Sequence, residues 1–272
     1  YRDMSSLNEG LAKKIFIPNY FCFGQQTIDH FNKIGANIKN FYVVGSLRQY
    51  YAEEDLKSKN TKNKKKYDIC LISENLPGLN DRVRKERFES LKKIAENVER
   101  LTLEQNLKTV LALKRAPNTK QGEEEINFYR NIFRKNSPII FADRIKGPYS
   151  NYETAYNSKI VIGSRSTLLL EVFARGGRIL ICNYKHEHYV EKNKGRIFER
   201  LEELNPLFDF DNYFSVHNKN YSIFRERALD LIYMDKELFE NHKKNFANYM
   251  LIFDNNYSIF SKIEKKINFW LQ

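Results

Sequence analysis

Short, almost uniformly apolar runs separated by longer amphipathic stretches are the feature that most constrains the fold of this chain. The runs are YDICLIS at Tyr67–Ser73, Thr109–Leu113, Ile139–Ala142, Ile160–Ile162 and RILIC at Arg178–Cys182. Each is too short for a buried helix, and none alternates as a strand with one wet face does. Between them lie helical patterns. Arg82–Gln105 carries Val83, Phe88, Leu91, Ile94, Val98 and Leu101 at helical spacing, and Glu123–Phe133 and Asn151–Asn157 follow. Strands buried on both faces and alternating with helices mean a parallel sheet covered on both sides. A sixth strand is expected over Tyr213–Val216 and a helix over Ile197–Leu204. The last ~50 residues read as helices broken near Asp235 and Asp254–Asn256. The expected class is α/β, a Rossmann-like parallel sheet of about six strands with C-terminal helices.

The chain before Tyr67 reads differently. Residues 1–11 look like a tail or the remnant of an upstream element. Ile15–Ile17 is a short strand ended by Pro18, Phe23-Gly24-Gln25-Gln26 opens a helix over Thr27–Ile34, and Phe41–Val44 is a further strand leading into Gly45-Ser46-Leu47-Arg48. Residues 53–66 are rich in Lys, Asn and acids and nearly free of apolar groups. They are expected to form a linker or exposed loop. The organisation is then a partial α/β segment over 1–52, the linker over 53–66, and a Rossmann-like domain with C-terminal helices over 67–272.

Composition excludes several classes. Hydrophobic residues make up 42% and charged residues 29% of the 272, an ordinary globular balance. No apolar run approaches the ~20 residues of a membrane span. The opening YRDMSSLNEG has no apolar signal core and no initiator Met, and is read as that of a fragment or trimmed chain. Cys22, Cys70 and Cys182 lie far apart without CxxC spacing, which reads as buried free thiols in a reducing, cytoplasmic setting. The net charge of +12 favours anionic partners. Its one local block, Lys62–Lys66, reads as solvated chain, and no nucleic-acid motif is present. GxSxG, HExxH, GxxxxGK[ST] and GxGxxG are absent. His186 and His188 form an HxH pair without a third ligand, so no metal is expected.

The stretch KIVIGSRSTLLLE, Lys159–Glu171, places a glycine and a hydroxyl-rich turn between an apolar strand and a helix. Free N–H groups and the positive end of the helix dipole make such a turn a natural anion site. Arg165 adds a cation suited to phosphate. Glu171, about one turn into the helix, is a candidate acceptor for ribose hydroxyls. The plainer alternative is that Ser166 or Thr167 caps the helix. Open α/β sheets bind ligands beyond the carboxyl ends of their strands. Ser73 and Glu74, Lys114 and Arg115, Asp143 and Arg144, and Ser164–Thr167 all fall just after strands. Ser164, Arg165, Ser166 and Thr167 are therefore the candidate phosphate group. Glu171, Lys114, Arg115, Ser73 and Glu74 are candidate nucleotide contacts.

With these residues in hand, strand–GSRSTLLLEVFARGGRILICN resembles the C-terminal, donor-binding half of GT-B glycosyltransferases. More narrowly it is similar to the bacterial surface-carbohydrate transferases that include Kdo transferases, polysialyltransferases and CDP-glycerol glycerophosphotransferases. The resemblance runs over about residues 12 to 220. It implies that residues 67–272 bind a nucleotide sugar, that Ser164, Ser166 and Thr167 hold donor phosphates, and that Gly24, Gln25 and Arg48 line the cleft. Many relatives carry His-Pro after the second strand, where this chain has Lys114-Arg115-Ala116-Pro117. The implied activity is transfer of a sugar from a nucleotide-activated donor, CMP-linked donors among them, to a bacterial surface glycan, without metal or other cofactor. The implied partners are a nucleotide sugar and a glycan or lipid-linked glycan acceptor, with peripheral contact to an anionic membrane as an option and no nucleic acid. No catalytic residue is assigned: such an enzyme needs a whole N-terminal acceptor domain, and the short stretch before the linker implies either that this domain is missing from the chain or that the architecture is reduced. A nucleotide-sugar-binding module without turnover and a UDP-sugar 2-epimerase-like enzyme stay open as alternatives.

Overall fold

A computed structural model describes residues 14–59, 65–74, 81–142, 147–184, 212–244, 246, 249–253 and 259–270. The apolar runs form a six-stranded sheet from β3 (Tyr67–Ile72), β4 (Thr109–Ala112), β5 (Ile140–Phe141), β6 (Ser158–Gly163), β7 (Arg178–Cys182) and β8 (Ser215–Val216). Every pairing is parallel, and the spatial order is β5-β4-β3-β6-β7-β8. Counting from β3, this is the order 3-2-1-4-5-6 of the doubly wound nucleotide-binding sheets. The chain runs outward from β3 through β4 to β5, then returns to β6 on the other side of β3. The direction of winding thus reverses between β3 and β6.

The strands are buried on both faces, as their composition requires. Ile69, Cys70, Val110, Leu111, Ile160, Ile162 and Ile179–Cys182 are all fully enclosed. The helices α3 (Asp81–Gln105), α4 (Lys120–Ile132), α5 (Ser150–Tyr156), α6 (Thr167–Ala174) and α7 (Tyr221–Tyr233) accompany them. On α3, Leu91, Ile94, Ala95, Val98 and Leu101 are buried at helical spacing. Asn106 follows with φ 48°, the left-handed residue that ends a helix, and Leu107 N–H reaches back to Thr102 O at 3.0 Å. The C-terminal end of α7 is held by Arg178, which donates to Leu231 O at 2.9 Å and Ile232 O at 2.8 Å. Beyond it lie α8 (Lys236–Lys243), capped by Asp235, and α9 (Ile259–Trp270).

Ahead of the main sheet, β1 (Ile17–Cys22), α1 (Gln25–Lys33) and β2 (Ile38–Val43) form a parallel two-stranded unit. The expected strand at Ile15–Ile17 is displaced: β1 continues through Pro18 to Cys22. Pro18 has no N–H to donate, but among the described residues β1 pairs with β2 alone, with Ile17 and Asn19 opposite Ile38 and Asn40. Tyr20, Phe31 and Phe41 pack between strands and helix, with ring centroids 5.0 Å apart for Tyr20–Phe31.

The expected loop over 53–66 is corrected over its first part. Helix α2 (Leu47–Ser58) runs through Glu53 and on to Ser58. Ala52 and Leu56 belong to the same buried core as the six-stranded sheet. Glu53, only 7% exposed, meets Arg175 at 2.6 Å. A helix face made of Gln49, Ala52, Glu53 and Leu56 looks polar in the sequence because half of it is buried by pairing rather than by apolar packing. Residues 60–64 lie outside the described residues, as does the helix expected at 197–204.

Candidate functional site

The winding reversal sets the exits of β3 and β6 side by side. Ser73 and Glu74 leave β3, and Ser164–Thr167 connect β6 to α6. In open α/β sheets this crevice is where ligands bind. Gly163 ends β6 with its Cα against its neighbours: a Cβ there would lie 3.1 Å from Glu74 Oε1 and 3.3 Å from Leu169 Cδ1.

The amides of the turn are met by a carboxylate of this chain, that of Glu74. Glu74 is 5% exposed. Its carboxylate accepts from Ser164 N–H at 2.6 Å and from Arg165 N–H at 2.8 Å. Glu74 therefore faces the turn of its own chain. Ser166 adopts extended backbone, and its Oγ accepts from Leu168 N–H at 3.3 Å, so it caps α6. Leu169 N–H reaches Ser166 O at 3.0 Å. Ser164 and Ser166 are half-buried, whereas Arg165 and Thr167 are exposed. The outward surface of the turn is thus a guanidinium-bearing residue beside the first residue of a helix.

The exit of β4 repeats the pattern with Glu125 of α4, which is 1% exposed. Its two oxygens accept from Lys114 N–H and Arg115 N–H, each at 2.8 Å. Ser73 Oγ also donates to this carboxylate. Ser73 is 2% exposed, and it hydrogen-bonds the fully enclosed Tyr129, whose phenol burial pushes up. Ser73 and Glu74 thereby tie the exit of β3 to the exits of both its neighbours. Lys114 and Arg115 are half-buried beside them. Asn151 of α5 closes the same edge by donating to Leu113 O at 2.8 Å.

Glu171 is placed differently from the ribose acceptor expected of it. It is 2% exposed, and its carboxylate takes the hydroxyls of Ser46 and of Tyr152, the latter at 2.7 Å. Gln49 Nε2 donates to the Glu171 carbonyl at 2.7 Å. Ser46 also caps α2 by accepting from Gln49 N–H at 3.2 Å. The expected nucleotide carboxylate is instead a buried joint between α2, α5 and α6. Burial raises its pKa, opposed by the hydrogen bonds from Ser46 and Tyr152 and by the Arg48 charge. Arg48 is exposed, with its guanidinium 6.0 Å from the centre of the Tyr152 ring, so the Gly45–Arg48 turn is brought beside α5.

Gly24 and Gln25 part company. Gly24 is buried under the C-terminal segment: a Cβ there would lie 2.8 Å from Met250 C and closer still to Tyr249 O. Tyr249 O also accepts from Gln26 N–H at 2.9 Å, so a carbonyl fills the start of α1. Gly45, at φ +82°, is crossed in the same way by Ile252 O, which a Cβ at that position would overlap. Gln25 is exposed and donates to Asp29 at 2.9 Å.

Asp143, Arg144, His186 and His188 lie outside the described residues. Among the described residues no three His, Cys, Asp or Glu side chains are grouped for a metal ion. Cys22, Cys70 and Cys182 are free and buried, and burial pushes the Cys70 and Cys182 thiols up to about 12. Glu125, Tyr129, Ser46 and Tyr152 belong to the edge although sequence reasoning passed over them. For Glu125 a signal exists: it shares helical spacing with the buried Phe128 and Tyr129, so it lies on the core face. Compared with known proteins, the chain matches no protein-family model and no curated protein sequence.

Proposed function

We propose that this chain is a GT-B-like glycosyltransferase, or the donor-binding half of one, that transfers a sugar from a nucleotide-activated donor to a bacterial surface glycan. The observation that carries this reading is the position of the Ser164–Thr167 turn. It lies at the start of a helix, at the winding reversal of a 3-2-1-4-5-6 sheet, with Arg165 and Thr167 on its outward side. That is where such sheets receive phosphorylated ligands. The net charge of +12 suits an anionic donor and an anionic acceptor or membrane surface.

In this reading Arg165 and the N-terminal end of α6 stabilise the negative charge that builds on the donor phosphate as the glycosidic bond breaks. Fixed charges and dipoles do this without reorganising during the reaction. Lys114 and Arg115 stand one strand beyond β3 on the same edge and extend the cationic rim toward the rest of the nucleotide. Glu74 and Glu125 hold the backbone beneath these cations and do not meet the donor.

The test is release of free nucleotide from CMP-, CDP-, UDP- and GDP-linked sugars, with and without isolated bacterial surface glycan. One donor family is expected to give release that rises with acceptor and falls by at least about tenfold in Arg165→Ala, the cost of one charged hydrogen bond. Binding of a nucleotide without release from any donor supports the non-catalytic module instead. Release that Arg165→Ala leaves intact removes the turn from the mechanism.

A further inference from the structure

From the clamp at the winding reversal we infer that Glu74 is a positioning residue for the donor phosphate. It seats the Ser164–Arg165 backbone so that the phosphoryl group is met by the side chains of Arg165 and Thr167, and not by the amides of Ser164 and Arg165. The inference rests on the donor-site reading given above.

Three observations carry it. First, both amides are already committed. Ser164 N–H and Arg165 N–H lie 2.6 and 2.8 Å from the carboxylate of Glu74, a residue only 5% exposed. A phosphate seated on those amides would have to expel a buried carboxylate from charge-assisted hydrogen bonds, the strong kind. Second, the strand end is shaped for that carboxylate. Gly163 leaves its Oε1 only 3.1 Å from where a Cβ would stand, so any other residue there presses on it. Third, the contact joins the exits of two adjacent strands, 90 residues apart in the chain. It fixes the Cα of Arg165 relative to β3 rather than leaving it to a free turn. A parallel clamp by Glu125 on Lys114 and Arg115 shows the same arrangement beneath the other cations of this edge.

The sign of one substitution separates positioning from mere proximity. Glu74→Gln removes a negative charge beside the turn. If Glu74 acted only through its field, an anion would bind more tightly to the variant. If Glu74 positions the turn, binding weakens, because Gln keeps an acceptor at only one of the two oxygens and sets an N–H₂ against Arg165 N–H, where Oε2 now accepts at 2.8 Å.

The experiment is calorimetric titration of CMP, CDP, UDP and GDP into wild type, Glu74→Gln and Gly163→Ala, together with amide hydrogen exchange at Ser164 and Arg165. Gly163→Ala presses on the carboxylate without removing its charge, and it keeps the test alive should Glu74→Gln fold poorly. The expected result is about tenfold weaker nucleotide binding in Glu74→Gln, a smaller loss in Gly163→Ala, and faster exchange at Arg165 in both. In wild type, both amides stay protected when nucleotide is bound. Equal or tighter binding by Glu74→Gln, or loss of Ser164 and Arg165 protection on adding nucleotide to wild type, overturns the inference and leaves the donor site standing. A wild-type chain that binds none of the four nucleotides removes the donor site, and the inference with it.

Discussion

Glu74, Glu125 and Glu171 are 5%, 1% and 2% exposed, and each carboxyl is met by backbone N–H groups or by hydroxyls. Burying a carboxylate is costly unless its oxygens are hydrogen-bonded. Hydrogen bonds to a charged group recover about 1.5–3 kcal/mol each. Burial raises the pKa of Glu171. Above ~4.3, where a glutamate in the unfolded chain gives up its proton, the folded chain still holds one. The unfolded state then binds fewer protons, so stability falls as pH rises through that window, until Glu171 ionises in the folded chain as well. Glu171→Gln has no such titration. Urea unfolding of both chains between about pH 4 and pH 8 is expected to show wild type losing stability relative to the variant as pH rises. A difference that is flat or grows in favour of wild type contradicts this account of Glu171. At this scale the sequence was only partly legible. The turn at Ser164–Thr167 could be picked out as a helix start with N–H groups to satisfy, but nothing local to it says that Glu74, 90 residues earlier, accepts from them.

The elements were legible wherever burial is apolar. The strands of the main sheet and the core face of α3 follow directly from the spacing of Ile, Leu and Val, because parallel strands and the helices over them bury little else. Helix α2 was not, since its inward face joins Ala52 and Leu56 to Gln49 and Glu53, whose polar groups bind Glu171 and Arg175. The crossing of the C-terminal segment over Gly24 and Gly45 was equally hidden, because it depends on residues 249–252 arriving from far along the chain. It has a direct consequence. Gly24 has extended backbone that any residue can adopt, so Gly24→Ala introduces no dihedral strain; its Cβ would instead stand 2.8 Å from Met250 C and Met250 O and press on Tyr249 O. Backbone cannot yield as a flexible side chain does, and overpacking of this kind typically costs about 1–3 kcal/mol. Thermal unfolding of Gly24→Ala is expected to show that loss, with faster exchange at Gln26, whose N–H bonds Tyr249 O. An unchanged midpoint and unchanged protection at Gln26 contradict the close crossing.

For the whole molecule, the parallel order 3-2-1-4-5-6 brings three strand exits to one edge, and the Ser46–Glu171–Tyr152 joint brings the β1–β2 unit to the same helix, α6. Cationic residues from separate parts of the chain are each tied to a buried carboxylate, Lys114 and Arg115 by their N–H groups to Glu125, Arg165 by its N–H to Glu74, and Arg48 through Tyr152, which bonds Glu171. The sheet itself was legible from the alternation of apolar runs and amphipathic helices. Its winding reversal was not, since strand order is a property of pairing and no local pattern states it. The measurement that tests the donor site most directly is thermal unfolding of wild type and Arg165→Ala with CMP, CDP, UDP, GDP and UDP-sugars. Arg165→Ala serves better than Ser166→Ala, because Ser166 caps α6 and its loss alone would lower stability by ~1 kcal/mol. At about 100 times its Kd, a nucleotide that binds only the folded chain stabilises it by about 2.7 kcal/mol. One nucleotide family is expected to give such a shift in wild type and to lose it in Arg165→Ala. No shift with any nucleotide, or a full shift in Arg165→Ala, contradicts a donor site at Ser164–Thr167.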